Sequence, residues 1–395
     1  MVDIATVGTF LVASAASFFM AWAIGAGSSG STPFAPAVGA NAISVMRAGF
    51  LVGLFGFAGA VLQGANVSEA VGRELIGGVT LSPIAATLAL SIAAALVAIG
   101  VFTGYPIATA FTATGAVIGV GLAMGGDPAW AKYREITALW ILTPFVGGGI
   151  AYVIARILRG ESISESSVLV ALAAVVGAVV ANIEFAVLGP PDGGASLAQA
   201  AAGYVPLSSG VGVPLATVGM MILWAAPTAL GVRNDPDRAQ RRFLLVMGGL
   251  VAFSAGGSQV GLAIGPLIPL SGDVGVPLLA LLVGGGFGLL AGSWTGAPRM
   301  IKAIAQDYSS LGPRRSISAL IPSFAIAQTA VLFGIPVSFN EIIVSSIIGS
   351  GYAASGSGGG VSASKMGYTV LAWVLSLAGS IVVSYAGFRV VSAFL

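Results

Sequence analysis

Apolar runs of about 20 residues recur along the whole chain, and they constrain its fold more than any other feature. Each run is long enough for a helix to cross the roughly 30 Å of hydrocarbon in a bilayer. Only 8% of the residues are charged, against roughly 25% in a soluble domain. The stretch 88–101 is apolar on every face, which excludes the alternation of a β-barrel strand. The sequence predicts an all-α integral membrane protein with about 10–12 transmembrane helices, some of them broken or re-entrant.

The composition also excludes several kinds of chemistry. The chain has no cysteine and no histidine, so disulfides, thiol catalysis and the usual near-neutral proton carrier are excluded. A net charge of +2 gives no indication of nucleic-acid binding. The start Met1-Val2-Asp3-Ile4 has no basic region, so 5–24 is expected to be a first membrane helix rather than a signal peptide. No motif indicates an enzyme, a cofactor or an ATP-hydrolysing domain, so we expect a gradient to power any transport.

Two pairs of short segments repeat at nearly one spacing. Gly-Tyr-Pro at 104–106 resembles Gly-Ile-Pro at 334–336, and the segment 23–28 resembles 254–259. The shift along the chain from 104 to 334 differs by a single position from the shift from 23 to 254. Because both pairs are separated by nearly the same number of residues, they predict a duplicated unit. We expect three parts: a first half at 1–160, connecting helices with a cytoplasmic loop at 161–240, and a second half at 241–395.

Loop charge indicates that the two halves are inverted. The loop 64–78 holds one basic residue, Arg73. Its counterpart, 296–316, holds four, which are Arg299, Lys302, Arg314 and Arg315. Because basic residues concentrate in cytoplasmic loops, equivalent loops with opposite charge bias are expected on opposite sides of the membrane. Ordinary variation between loops is the alternative.

Two segments rich in glycine and serine interrupt the apolar runs. The first is Gly25-Ala-Gly-Ser-Ser-Gly-Ser-Thr-Pro33, and the second is Ser254-Ala-Gly-Gly-Ser-Gln-Val-Gly261. Such segments are predicted to break a helix, and a half-helix that starts there would present free N–H groups and a positive dipole end. That arrangement binds anions without a charged side chain. The alternative is close packing of helices through small residues.

The Gly-x-Pro segments are the other candidate pair. Pro106 and Pro336 are each expected to begin an apolar helix immediately after another apolar run, which predicts re-entrant helices whose N-termini point inward. A simple helix start with proline in its first turn is the alternative. Glu341 lies five residues after the second proline, and an ionisable group at that depth is a functional candidate. Glu184, expected in a helix at 168–188, is a second candidate, or else a helix-end residue at the interface.

These segments resemble the signatures of the inorganic phosphate transporter (PiT) family of secondary carriers. That family carries Gly-Ala-Asn-Asp-Val-Ala-Asn-Ala and Gly-x-Pro-x-Ser-Thr-Thr-His once in each inverted half. The first signature aligns here with 25–32 and 256–263, and the second with 104–111 and 334–341. The stretch 296–314 also looks like the family's loop before its last helices. The resemblance spans nearly the whole chain and implies a secondary transporter.

The chain departs from the family pattern at its acidic positions. Ser28 and Gln259 stand where the family has aspartate, and Phe111 and Glu341 stand where it has histidine. The family's carboxylates are associated with the coupling sodium, so we expect a proton to be the coupling ion and sodium to be less favoured. Hydroxyls and amides suit sulfate, which has no proton to donate and which a carboxylate would repel. The chain therefore looks closest to the sulfate permease branch of the family.

The expected function is secondary active transport of a tetrahedral inorganic oxyanion, with sulfate favoured over phosphate. The anion is expected at the bilayer midplane, between two halves that rock against each other. The predicted binding residues are Ser28, Ser29, Ser31, Thr32, Thr109, Ser258, Gln259, Ser338 and Asn340. Glu341 and Glu184 are the predicted coupling residues. A phosphate transporter of the PiT family, a passive channel, and a non-transporting receptor or scaffold are the alternatives. The expected setting is the cell membrane, with several crossings, and a homodimer is compatible with it.

Overall fold

The computed structural model describes residues 3–160, 163–185, 188–189, 194–205, 208–307, 311–353 and 363–394. The first seven helices are α1 (Ile4–Gly27), α2 (Ala35–Gly39), α3 (Val45–Gln63), α4 (Ala65–Arg73), α5 (Pro83–Thr103), α6 (Thr109–Ala123) and α7 (Trp130–Arg159). Three connecting helices follow: α8 (Glu165–Asn182), α9 (Leu197–Ala202) and α10 (Ser209–Asn234). The last seven are α11 (Pro236–Ile264), α12 (Ile268–Val274), α13 (Leu278–Thr295), α14 (Ala297–Asp307), α15 (Pro313–Leu332), α16 (Phe339–Tyr352) and α17 (Ala363–Ser392).

Strands are confined to two short antiparallel pairs in the described part of the chain. The first pair joins β1 (Ile76–Gly77) to β2 (Asp127–Pro128), and the second joins β3 (Glu184–Phe185) to β4 (Ala195–Ser196). Ten helical spans in the described residues are long and apolar enough to cross a membrane. The prediction of an all-α, multi-pass membrane protein is confirmed.

Helices α6 and α16 are too short to cross the bilayer. They have 15 and 14 residues, so each is about 21–23 Å long, against roughly 30 Å of hydrocarbon. Each follows a long apolar helix, α5 or α15, after a short connection, 104–108 or 333–338. This is the re-entrant arrangement that the closely spaced apolar runs predict.

The order of helices repeats along the chain. Helices α5 and α15 begin at Pro83 and Pro313, and α6 and α16 begin at Thr109 and Phe339, so one shift along the sequence relates both pairs. The two sets also exchange packing partners, because α6 packs against α17 and α16 packs against α7. These correspondences support the predicted duplication. The inverted orientation and the three-part division of the chain stay predictions.

Glycine at the helix crossings brings backbones together. A Cβ atom added at Gly256 of α11 would lie 1.9 Å from the carbonyl oxygen of Gly56 in α3. One added at Gly25 of α1 would lie 2.1 Å from the carbonyl oxygen of Leu289 in α13. Helix α11 runs unbroken through 254–261, so the predicted second break is wrong. There the small residues serve close packing, and the helix changes only at a single 3₁₀ turn, Gly265–Leu267.

One end of the bundle is rich in arginine. Helices α3, α7, α10, α11, α14 and α15 all carry basic residues at or near that end. The ends meet there: the Arg241 side chain donates to the carbonyl group of Ala42, and Arg314 forms an ion pair with Glu165 of α8. Basic residues favour the cytoplasmic side, so we expect this end to face the cytoplasm.

Candidate functional site

The two Gly-x-Pro segments turn the chain back into the bundle. Gly104 and Gly334 adopt left-handed conformations, with φ of +79° and +60°, which favour glycine because it has no Cβ atom. Residues without regular structure follow, and the short helices begin at Thr109 and Phe339. The prediction that the prolines themselves start these helices is wrong by three residues, because the prolines lie in the connections.

Two buried tryptophans hold these connections in place. Trp140 of α7 donates from its indole nitrogen to the carbonyl oxygen of Pro336 at 2.9 Å. Trp373 of α17 donates in the same way to Pro106 at 2.8 Å. The shift from Trp140 to Trp373 nearly matches the shift of the repeat, so each half supplies the donor for the other half's connection. Sequence reasoning missed both residues, although their spacing could have revealed them.

A cluster of three polar side chains joins α1, α6 and α11. Ser28 follows the end of α1, Thr109 begins α6, and Gln259 lies within α11; none of the three is exposed. The Oε1 atom of Gln259 accepts from Ser28 at 3.2 Å and from Thr109 at 2.7 Å. The Nε2 atom of Gln259 donates to the carbonyl oxygen of Val337. Ser28 and Gln259 are related by nearly the same shift as the predicted repeat, so the two glycine- and serine-rich segments touch each other, although the second lies in an unbroken helix.

Asn340 joins this cluster from the first turn of α16. Its Nδ2 atom donates to the carbonyl oxygens of Gly27, at 3.0 Å, and Ile107, at 2.6 Å. The starts of α6 and α16 are therefore both at the cluster, together with the end of α1. The starts of α6 and α16 leave free N–H groups near the cluster, and no cationic side chain takes part in these contacts.

Several buried polar atoms at the start of or within α6, α11 and α16, the helices that supply this cluster, have no hydrogen-bond partner among the residues that the structure describes. They are Ser258 Oγ, Ser338 Oγ, Asn340 Oδ1, Glu341 Oε2 and Thr114 Oγ1. Leaving such an atom unsatisfied costs about 1–3 kcal/mol. A group of them is unusual in a packed interior and is typical of a site that binds a polar ligand.

Other predicted binding residues take different roles. The side chains of Ser31 and Thr32 both donate to the backbone oxygen of Ser28, at 3.2 and 3.0 Å, and so stabilise the turn after α1. Ser29 is buried in the same turn. The structure thus brings Ser28, Thr109, Gln259 and Asn340 together by direct contacts. Ser31 and Thr32 shape the backbone that presents Ser28.

Glu184 lies outside this cluster. Helix α8 ends at Asn182, so the predicted helix 168–188 is wrong, and Glu184 is exposed in the two-residue strand β3. Its backbone oxygen accepts from Gln63. Glu184 lines a separate cavity of about 510 Å³, together with Gln63 and Gln328. Glu341, in contrast, is 2% exposed and is the third residue of α16, next to Asn340.

Comparison with known proteins places these features in a family. A sequence model described as the phosphate transporter family matches residues 6–384. The putative phosphate permease of Thermococcus kodakarensis is 26% identical over 367 residues, which cover 87% of this chain and 88% of that protein. The chloroplastic inorganic phosphate transporter 2-1 of Arabidopsis thaliana is 22% identical, over 85% of this chain and 64% of the plant protein.

A solved structure shares the fold. The sodium-dependent phosphate transporter superimposes with a TM-score of 0.81 over 98% of this chain and 100% of its own, at 22% identity. These relatives are named for phosphate, and they give no support to the predicted placement in a sulfate permease branch. The family match covers nearly the whole length, and the predicted resemblance to PiT carriers is confirmed: the chain belongs to the phosphate transporter family.

Proposed function

We propose that this chain carries inorganic phosphate across the membrane as a secondary transporter. The observation that carries the proposal is the set of unpartnered buried polar atoms on α6, α11 and α16, the helices that also supply Thr109, Gln259 and Asn340 to the cluster. A tetrahedral oxyanion would accept from the hydroxyl groups of Ser258 and Ser338 and from N–H groups in the first turn of α16. The names of the relatives support phosphate as that oxyanion.

An unpartnered acceptor favours phosphate over sulfate. Asn340 Oδ1 can only accept hydrogen bonds, and it has no donor among the described residues. Phosphate keeps a proton near neutral pH and can donate it to such an atom, whereas sulfate cannot. The expectation of sulfate follows from Ser28 and Gln259 and gives no weight to this acceptor. Sulfate stays the second candidate, because Ser28 and Gln259 replace the family's acidic residues.

The burial of the cluster supports transport by alternating access. Ser28, Gln259 and Ser338 have no exposed surface, so an anion reaches them only when the surrounding helices separate. The contacts that must open join α1, α6, α11 and α16, which come from both repeats. A rocking movement of one repeat against the other would expose the cluster to each side in turn.

We assign coupling to Glu341 and propose a proton as the coupling ion. Its side chain is buried in the first turn of α16, one residue after Asn340, and Oε2 lacks a donor among the described residues. A buried carboxylate strongly favours neutralisation, and a proton does this without further ligands, whereas sodium needs several oxygen ligands. Proton binding to Glu341 would also reduce the repulsion that an arriving anion experiences.

Uptake by proteoliposomes tests the substrate and the coupling together. We expect radiolabelled phosphate to accumulate under an inward proton gradient, with excess sulfate competing only weakly. In the Glu341→Gln variant the proton gradient should no longer accelerate phosphate uptake, because glutamine cannot exchange a proton. Preferential sulfate accumulation would overturn the substrate. Phosphate uptake driven by sodium, and equal in the variant, would overturn the coupling.

The tryptophan contacts predict a matched pair of transport defects. Trp140→Phe and Trp373→Phe each keep an aromatic ring and remove the donor to Pro336 or Pro106. A buried carbonyl group left without its donor costs about 1–3 kcal/mol, so phosphate uptake should fall roughly tenfold in both variants. Trp294→Phe is the control. Trp294 is 44% exposed, and its indole nitrogen donates to the carbonyl oxygen of Phe50, away from the cluster. Equal uptake in all three variants would contradict a positioning role.

A further inference from the structure

A groove of about 450 Å³ lies on the outside of the bundle, beside the start of α3. Its walls are mostly apolar side chains, including Met46, Phe50 and Leu245. Its lining also includes two charged residues, Arg47 of α3 and Arg241 of α11, and no acidic residue among those that the structure describes. The groove therefore combines an apolar wall with two positively charged side chains.

The two arginines of this groove are poorly neutralised. Arg241 uses its Nε–H in a 2.8 Å bond to the carbonyl oxygen of Ala42, which fixes its guanidinium group and leaves the other four of its five N–H donors for a ligand. Arg47 is exposed and forms no ion pair with a residue that the structure describes. Arg314, at the same end of the bundle, differs because Glu165 neutralises it at 2.7 Å.

The position of the groove points to lipid rather than to a soluble anion. Met46 and Phe50 are 68% and 52% exposed, and on a membrane-spanning helix such faces contact acyl chains. Arg47 lies in the first turn of α3, at the arginine-rich end of the bundle. The arginines are therefore expected at the level of the headgroups, with the apolar wall extending into the hydrocarbon.

We propose that this groove binds an anionic glycerophospholipid of the cytoplasmic leaflet. The guanidinium groups of Arg47 and Arg241 would hold the phosphodiester, since arginine forms paired hydrogen bonds with phosphate oxygens. One acyl chain would lie along Met46 and Phe50. Inorganic phosphate could use only the arginines, so the apolar wall distinguishes the lipid from the transported anion.

Native mass spectrometry of the purified full-length protein tests this proposal. Phosphatidylglycerol and phosphatidylcholine with identical acyl chains are titrated against the wild type and against the variants Arg47→Gln, Arg241→Gln and the double variant. We expect phosphatidylglycerol to be preferred, each single variant to bind it about fivefold more weakly, and the double variant about 25-fold more weakly. Binding of phosphatidylcholine should change little.

Arg242→Gln is the matched control, because it removes an equal charge from the neighbouring residue of α11, which does not line the groove. Arg47→Lys and Arg241→Lys should bind phosphatidylglycerol more tightly than the glutamine variants and less tightly than the wild type, because lysine keeps the charge but loses the paired hydrogen bonds. An equal loss in Arg242→Gln, or no preference for phosphatidylglycerol in the wild type, would overturn the proposal. Displacement of the lipid by millimolar inorganic phosphate would also overturn it, in favour of a site for soluble anions.

Discussion

Replacing Gln259 with alanine should lower phosphate uptake by about 100-fold or more while the protein stays folded. Gln259 connects Ser28, Thr109 and the carbonyl group of Val337 across the two repeats. Its removal leaves at least two buried polar groups without a partner, each at a cost of about 1–3 kcal/mol. A combined loss of about 2.7 kcal/mol corresponds to 100-fold. Initial rates of radiolabelled phosphate uptake into proteoliposomes measure the effect.

Gln306→Ala is the control for this variant, because Gln306 is exposed on α14 and the change in side chain is identical. Gel filtration and helical circular dichroism establish that both proteins are folded. Gln259→Asn keeps the amide but shortens its reach, so we expect an intermediate rate. Uptake by Gln259→Ala within twofold of the wild type would remove Gln259 from the transport mechanism.

The largest effect on stability is expected at the crossing of α3 and α11. In Gly256→Leu even the first side-chain carbon would lie 1.9 Å from the carbonyl oxygen of Gly56. The two helices must separate to accept it, and overpacking against a rigid backbone costs more than about 3 kcal/mol. We expect little monodisperse protein after purification, and a clearly lower temperature of thermal unfolding in detergent for the fraction that folds.

Gly284→Leu provides the comparison within the membrane. A Cβ atom at Gly284 of α13 meets nothing within 4 Å, so leucine there should project freely and leave the unfolding temperature within a few degrees of the wild type. Helix propensity favours leucine over glycine in both variants, so only the steric contact distinguishes them. Similar destabilisation in both variants would leave no role for that contact. It would contradict the close approach of α3 and α11.

The sequence predicts the general architecture because that architecture depends on local and periodic properties. Runs of apolar residues determine the crossings, and the constant shift that relates 104–106 to 334–336 marks the repeated hairpins. The sequence also identifies Ser28, Thr109, Gln259 and Asn340 as candidate binding residues. Each carries a hydrogen-bonding side chain in one of the segments that match the family signatures.

What the sequence does not predict depends on packing partners that are distant along the chain. Glycine and serine at 254–261 are equally compatible with a broken helix and with a close crossing, and only the position of Gly56 decides for the crossing. Trp140 and Trp373 lie in apolar helices, where nothing local distinguishes them from core residues. Their spacing marks them as a pair, but their role as donors follows only from the packing of α6 against α17 and of α16 against α7.

The expectation of sulfate shows how a family comparison by single positions can mislead. The signatures lack the family's two aspartates at Ser28 and Gln259, but Asn340 brings another unpartnered acceptor to the same cluster. The chemistry of the site depends on all the groups that meet there. Which groups meet is known only from the fold, which brings the first turn of α16 to the end of α1.

A cryo-electron microscopy map of the protein in nanodiscs with saturating phosphate tests the central claim most directly. The predicted result is density for a tetrahedral anion within hydrogen-bonding distance of Ser28, Gln259 or Ser338, at the starts of α6 and α16. Anion density at the arginine-rich end of the bundle, with a central cluster that keeps its Ser28–Gln259 and Thr109–Gln259 contacts unchanged, would contradict it.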